Sequence, residues 1–128
     1  MSRNIPVLTL AYLAAGAIPA RRIVKHGAAD GAVLQGDGPT APLLGISTDI
    51  PSALGETCDV IREGLAPVTY GGTVSRGDPL TSDATGRAVV AAPTAAALAQ
   101  VIGFAEVSGV EGDIGSVHIS RCALRAAA

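Results

Sequence analysis

The chain has very few aromatic residues, and this limits the kind of core it can build. Tyr12, Tyr70 and Phe104 are its aromatic side chains, and it contains no tryptophan. A core must therefore consist of Val, Ile, Leu and Ala, which bury less area per residue than aromatic rings do. Because a 128-residue domain with such a core has limited stability, further burial against a partner or a second copy would stabilise it.

Positive charge is also scarce, which argues against nucleic acid as a partner. Lys25 is the only lysine, the arginines are scattered, and the net charge is −2. The sequence has no basic stripe that would follow a phosphate backbone. It also has no run of about 18 apolar residues, so no transmembrane helix and no membrane partner is predicted. With 48% hydrophobic residues, the chain is nevertheless too apolar to be disordered.

Cysteine and histidine are too few and too widely spaced to predict a metal site. Cys58, Cys122, His26 and His118 show none of the short spacings that metal ligands have. We expect both cysteines to be small buried apolar residues, and a disulfide between them stays open. No cofactor is predicted.

An enzymatic alternative depends on the same residues. A cysteine, a histidine and Asp59 would in principle form a nucleophilic triad, but neither cysteine lies in a recognisable catalytic motif. The main prediction is therefore that the chain is not an enzyme. The alternative is a small β domain of an enzyme or enzyme-associated module with a Cys/His site.

The first residues, "MSRNIPVLTLAYLAAGAIPA", have features of a secretory signal. An arginine precedes an apolar stretch that leads to Ala15-Gly16-Ala17, which has the pattern of a cleavage site. Pro6 at the start of the apolar stretch argues against this interpretation. We expect residues 1–20 to remain in the mature protein as an extended N-terminal arm, and residues 21–128 to form a single β domain with a short C-terminal tail.

Glycine and proline are abundant and divide the chain into short segments. The 16 glycines and 8 prolines separate pieces such as "RRIVKH", "PLLGIS" and "RAVVA", which are rich in β-branched and aliphatic residues. Many short strands with frequent turns predict an all-β fold. We expect a small antiparallel jelly-roll-like sandwich or barrel of about eight short strands. The segment "PTAAALAQVIG" allows at most one short helix, near 94–100.

A weak internal repeat supports two similar halves. "LLGISTDIPSALGETCDVI" (43–61) aligns with "VIGFAEVSGVEGDIGSVHI" (101–119). Gly45 then matches Gly103, and a gap of one residue brings Val60 opposite Val117. Two similar four-strand halves are typical of a jelly roll or of another barrel made from two sheets.

The tripeptide Arg76-Gly77-Asp78 has two interpretations. It is an adhesion signal when it lies on an exposed loop, but here it is followed by Pro79, the turn "SDATGR" and the strand "AVVA". Proline favours an extended conformation at Asp78, and a bend at Gly77 requires a positive φ. The sequence therefore predicts a bend followed by a hairpin in a β scaffold.

In this order, the segments resemble the small cement, or decoration, proteins of tailed-bacteriophage capsids. The resemblance covers residues 20–120 and rests on "RRIVKHGAADGAVL", "PLLGIST", "CDVIREGLAPVTYGG", "VSRGDPLTSDATGRAVVA", "AAALAQVIGFAE" and "GDIGSVHI". It implies a protein, made in the host cytoplasm, that binds the outer surface of the capsid. There it would bridge neighbouring major capsid proteins as a homo-dimer or homo-trimer. The family assigns no catalytic residues.

The N-terminal arm offers the candidate partner interface. Its segment "RNIPVLTLAY" has an apolar, strand-forming edge that would add to a neighbour's sheet, and the two arginines after it would pair with acidic capsid surface. The alternatives are that the arm pairs within its own domain and that the arginines form a solvated edge. The predicted interface residues are Ile5, Val7, Leu8, Leu10, Tyr12, Arg21 and Arg22.

Overall fold

The computed structural model describes residues 5–93 and 98–125, and it shows nine β-strands there. In chain order they are β1 Pro6–Ala14, β2 Ile23–His26, β3 Ala32–Gln35, β4 Leu43–Ser47, β5 Thr57–Thr69, β6 Pro79–Ser82, β7 Ala88–Val90, β8 Leu98–Ala105 and β9 Ile114–Arg125. All nine belong to one mixed sheet, and the described ranges contain no helix. The all-β prediction is therefore confirmed, while the jelly-roll-like topology stays a prediction.

Part of the short helix predicted near 94–100 is strand instead. Residues 94–97 lie outside the described residues, but 98–100 are the first residues of β8. Leu98 pairs with Arg125, and Ala99 with Leu124, in an antiparallel ladder with β9. This pairing outweighs the helix propensity of the alanine-rich sequence.

The strand pairings close one half of the molecule into a ring. The order β1-β3-β2-β4-β5 returns to its start because β1 also pairs antiparallel with β5 along most of its length. Its pairing with β3 is parallel and limited to Leu13 and Ala14. We call strands β1–β4 with residues 57–64 of β5 the ring.

Strand β5 joins the ring to a second unit. Residues 65–69 of β5 pair with β9, which continues through β8 and β6 to β7. We call these strands the distal half. The partner of β5 changes at Gly64, whose φ is 100°, a conformation that glycine tolerates better than any other residue.

The two units share the main core. A small cluster fills the ring, where Val24, Val33, Leu44 and Val60 are fully buried. The larger cluster combines ring residues with distal-half residues, and Tyr70 has the largest fully buried side chain in it. As the composition predicts, the rest of this core is aliphatic. Its members are Ile23, Ala41, Leu43, Ile46, Ile61, Ala66, Val68, Val74, Leu80, Ala88, Ile102, Ala105, Val117 and Ile119.

The Arg-Gly-Asp segment forms the predicted bend and hairpin. Gly77 has a φ of 90°, and its N–H donates to the carbonyl of Ala105 at 2.7 Å. The Asp78 carboxylate accepts a hydrogen bond of 2.9 Å from the N–H of Ser75, so it closes its own turn. Strands β6 and β7 then pair antiparallel.

The cysteines are both free, which excludes the disulfide that the sequence left open. Cys58 is buried in the ring, as predicted, but the prediction is wrong for Cys122, which is exposed. Strand β5 pairs with β9 only as far as His118, so one edge of β9 is uncovered by β5 at Cys122.

The described residues contain neither a membrane-spanning helix nor a cluster of metal ligands. No helix in 5–93 or 98–125 is long and apolar enough to cross a membrane. The same residues contain no group of three or more His, Cys, Asp or Glu side chains that could hold a metal ion.

Candidate interaction surface

Strand β1 is paired within its own chain and yet remains largely exposed. It forms an antiparallel ladder with β5 in which Leu10 faces Val60 and Tyr12 faces Cys58, as the alternative for the arm predicted. Nevertheless, Val7 is 72% exposed and Ile5, just before the strand, is 60% exposed. The predicted residues Ile5, Val7, Leu8 and Leu10 therefore lie at the surface, whereas Tyr12 is half-buried against the core of the ring.

One edge of β1 has open backbone hydrogen-bonding groups. The N–H of Ala14 donates to β5 at Glu56, whereas the N–H of Leu13 donates towards β3, to Gly31, both at 2.9 Å. Successive N–H groups of a strand point to opposite edges, so those of Thr9 and Ala11 point the same way as that of Leu13. Because β3 reaches only Leu13 and Ala14, no described strand pairs with this edge at Thr9 and Ala11. Such an edge can accept a further strand.

A groove of about 510 Å³ runs beside β1 and contains Arg21, the first of the two predicted arginines. Arg21 has a φ of 56°, the only positive φ of a described residue other than glycine. Its N–H donates to Thr48 at 3.0 Å, which helps to hold this unfavourable conformation. The groove is lined by Pro6, Thr9, Arg21, Thr48, Asp49, Ile61, Pro67 and Ile114.

Arg22, the second predicted arginine, is bonded inside the molecule. Its N–H donates to the hydroxyl of Ser47 at 3.0 Å, and its Nη1 donates to the carbonyl of Thr85 at 2.8 Å. The half-buried side chain thus links β2 to the turn between β6 and β7. Its role in an interface stays a prediction with less support than that of Arg21.

A second pocket, of about 310 Å³, was not predicted from the sequence. It lies between β1, β5 and β9, and its lining residues are Leu8, Arg62, Glu63, Ile119, Ser120 and Arg121. The Nη1 of Arg62 donates to the hydroxyl of Tyr12 at 2.6 Å. No local motif connects these residues, since Arg62 and Arg121 are far apart in the chain and meet only through the pairing of strands.

The loop before β5 adds exposed apolar residues that sequence reasoning also missed. Leu54 is 73% exposed and Ile50 is 67% exposed. The N–H of Gly55 donates to the carbonyl of Ala14 at 2.8 Å, so this loop lies next to the end of β1 and its exposed Leu13. The signal in the sequence is the pair of large apolar side chains inside the turn-rich segment "DIPSALG".

The Cys/His alternative finds no support in the geometry. Burial raises the pKa of the Cys58 thiol, and the nearby Asp59 charge adds to this effect although Ser52 opposes it. A thiol with a raised pKa is a poor nucleophile near neutral pH. Exposed Cys122 is four positions from His118 on the same strand, a distance of about 13 Å in an extended chain.

These features define a small all-β scaffold with exposed apolar segments. The family model of phage cement proteins matches residues 1–113. The chain therefore belongs to the phage cement protein family and is a structural protein of the bacteriophage capsid. The family resemblance seen in the sequence is confirmed.

A solved structure has the same fold. The chain is similar to the N base of the head fiber protein gp8.5 of bacteriophage phi29, with 19% sequence identity and a TM-score of 0.61. The match covers 88% of this chain and 93% of that chain. At this identity the similarity concerns the fold alone. No curated protein sequence matches the chain.

Proposed function

We propose that the chain is a cement protein that binds the outer surface of the phage head and bridges neighbouring major capsid proteins. It would be made in the host cytoplasm and act on the virion as a homo-dimer or homo-trimer. The family supports the capsid role. The observation that carries the proposed mode of binding is strand β1, which is firmly paired on one side and open on the other.

The edge of β1 explains how a rigid scaffold would hold a neighbour. A strand of the capsid protein would pair with the backbone of Thr9 and Ala11, and it would cover the exposed side chains of Ile5 and Val7. Complete burial of one such side chain contributes about 1.5–3 kcal/mol, reduced by the ordering that binding requires. Each contact is therefore modest.

Binding to two capsid subunits at once would allow modest contacts to stabilise the shell. A protein that binds two neighbouring capsid subunits holds the second at a high effective concentration once the first is bound. It also stabilises the assembled shell by mass action, since it binds that state in preference to the disassembled subunits. Exposed Leu54 and Ile50 beside the end of β1 extend the surface available for this purpose.

Co-sedimentation with heads of the phage that encodes the chain tests the proposal. The wild-type protein is mixed with expanded and with unexpanded shells, and the bound fraction is measured over a range of concentrations. We expect saturable binding to expanded shells at a fixed ratio to the major capsid protein, and greater heat resistance of the decorated shells. Absence of binding to either shell would refute the proposed function.

A further inference from the structure

The pocket between β1, β5 and β9 contains two arginines that form no ion pair with any described residue. Arg62 and Arg121 both line it, and neither lies within 4.0 Å of a carboxylate oxygen among residues 5–93 and 98–125. Elsewhere in these ranges Lys25 and Arg87 do form ion pairs. Two guanidinium groups against the one carboxylate of Glu63 leave the pocket lining with a net positive charge, although the net charge of the chain is −2.

One hydrogen bond from Nη1 fixes each of the two guanidinium groups. The Nη1 of Arg62 donates to the hydroxyl of Tyr12 at 2.6 Å, and the Nη1 of Arg121 donates to the carbonyl of Leu43 at 3.0 Å. A guanidinium that is fixed in this way loses little further freedom when it binds a ligand through its other N–H groups. The pocket is thus preorganised for an acceptor.

Arg62 also lacks an acceptor for a second nitrogen. Its Nε is inaccessible to solvent, and no described residue accepts a hydrogen bond from it. A buried donor without an acceptor is unfavourable, so the hydrogen-bonding capacity of Arg62 is not fully used by the described residues. A carboxylate in the pocket would therefore meet the Nη groups of Arg62 rather than its inaccessible Nε, and charge-assisted hydrogen bonds from such groups are the strong ones.

From this geometry we infer that the pocket receives the carboxylate of an aspartate or glutamate side chain from the capsid shell protein. The inference rests on the proposed function, and it adds the chemistry of the partner residue. The pocket adjoins the proposed interface directly, since Leu8 of β1 lines it and Tyr12 of β1 positions Arg62. A capsid segment that covers the exposed Leu8 side chain of β1 would lie at the rim of this pocket, where it could insert an acidic side chain.

A carboxylate fits the pocket better than a phosphate group does. Glu63 is part of the lining and would repel a doubly charged phosphate more strongly than a singly charged carboxylate. Leu8 and Ile119 provide an apolar rim that suits the methylene groups of an amino-acid side chain.

Direct binding is tested on the full chain, labelled with ¹⁵N, by nuclear magnetic resonance. The Nε–H signals of Arg62 and Arg121 are assigned from Arg62→Lys and Arg121→Lys, and then followed while sodium acetate is added at neutral pH. Sodium chloride and sodium phosphate at the same ionic strength are the controls. We expect a saturable shift with acetate alone. Equal responses to all three salts, or a stronger response to phosphate, would overturn the inference.

Shell binding tests whether the carboxylate comes from the capsid. We expect Arg121→Gln and Arg62→Gln to raise the Kd for expanded shells by about 10-fold or more. Arg76→Gln removes the same charge at an exposed site outside the pocket and should leave the Kd unchanged. Ser120→Glu should also weaken binding because it places a carboxylate at the pocket, whereas Thr73→Glu adds the charge elsewhere on the surface.

The outcomes separate this inference from the proposed function. If the wild type does not bind shells, the proposed function fails, while the acetate titration still tests the pocket itself. If the wild type binds and the pocket variants bind equally well, the inference alone is wrong. A loss of self-association in the pocket variants, measured by sedimentation velocity, would instead assign the carboxylate to a second copy. Arg62→Gln also removes a hydrogen bond to Tyr12 and could prevent folding. If Arg62→Gln does not fold, Arg121→Gln and Ser120→Glu still test the inference.

Discussion

Gly45 of β4 and Gly103 of β8 show how closely the paired strands of this molecule approach each other. A Cβ on Gly45 would overlap the carbonyl oxygen of Ile61, and a Cβ on Gly103 would overlap that of His118. The internal repeat aligns the two glycines, and it also aligns Ile61 with His118. The same close approach therefore occurs in the β4–β5 pair and in the β8–β9 pair, which gives the repeat a physical basis.

Replacing either glycine by alanine should destabilise the fold. Because the contact is with backbone, which cannot rotate away, we expect Gly103→Ala and Gly45→Ala to lower the free energy of unfolding by about 3 kcal/mol each. Gly72→Ala is the matched control, since nothing lies within 4 Å of its Cβ position and its φ is not positive. Urea denaturation monitored by circular dichroism measures the effect. Equal stability of Gly103→Ala and Gly72→Ala would contradict the model of close approach.

Asp83 makes the stability of the folded chain depend on pH in the acid range. Its carboxylate accepts hydrogen bonds of 2.9 Å from the N–H groups of Thr85 and Arg87, and one of 3.0 Å from the Nε of Arg87. Burial alone would raise the pKa of Asp83, but these bonds and the charge of Arg87 together lower it below the ordinary value of 3.8. The unfolded chain therefore binds this proton more readily than the folded chain does.

Because the pKa of Asp83 is lowered in the folded state, the pH range in which stability is lost can be predicted. The contribution of Asp83 is fully present above about pH 4 and disappears as the pH falls through the lowered pKa of the folded state. Asp83→Asn should therefore be less stable than the wild type at neutral pH, and the difference should shrink below the ordinary value of 3.8. Denaturation at a series of pH values measures it, with Asp30→Asn as the exposed control. A difference that does not change with pH would refute this role of Asp83.

At the scale of elements, the sequence predicts strands better than it predicts their partners. The composition of "RNIPVLTLAY" indicates a strand, and the bend at Gly77 follows from local backbone chemistry. The pairing of β1 with β5 depends on residues about 50 positions away. The sequence could therefore not show whether the arm pairs within its own domain or with a neighbouring protein. Arg62 and Arg121 were missed for the same reason, because only the order of strands brings them to one pocket.

The open edge of β1 can be closed without disturbing its pairing with β5. In Ala11→Pro the ring of proline replaces an N–H that points to the open edge, so stability should change little. In Leu10→Pro the lost N–H is one that points to β5, and we expect a loss of about 3 kcal/mol in the free energy of unfolding. If the capsid protein adds a strand at this edge, Ala11→Pro should weaken shell binding while its melting temperature stays near that of the wild type. Unchanged shell binding by a folded Ala11→Pro would exclude strand addition at this edge.

At the scale of the whole molecule, strand β5 makes the ring and the distal half mechanically continuous. It runs unbroken for 13 residues and pairs with β1 and β4 before Gly64 and with β9 after it. The main core also draws residues from both units. If the chain bridges capsid subunits as proposed, this continuity would let it transmit force before its own parts separate.

This continuity predicts that the molecule unfolds as one unit. Tyr12 packs against the core of the ring and Tyr70 lies in the shared core, and no tryptophan obscures their fluorescence. The variants Tyr70→Phe and Tyr12→Phe each leave a single tyrosine that reports on one region. In each variant, the tyrosine signal and the far-ultraviolet circular dichroism should change at the same urea concentration. If the Tyr12 signal changes first, the ring opens on its own. Residues 1–20 would then behave as the separable arm that the sequence predicts, and β1 would be free to leave β5 and bind the shell.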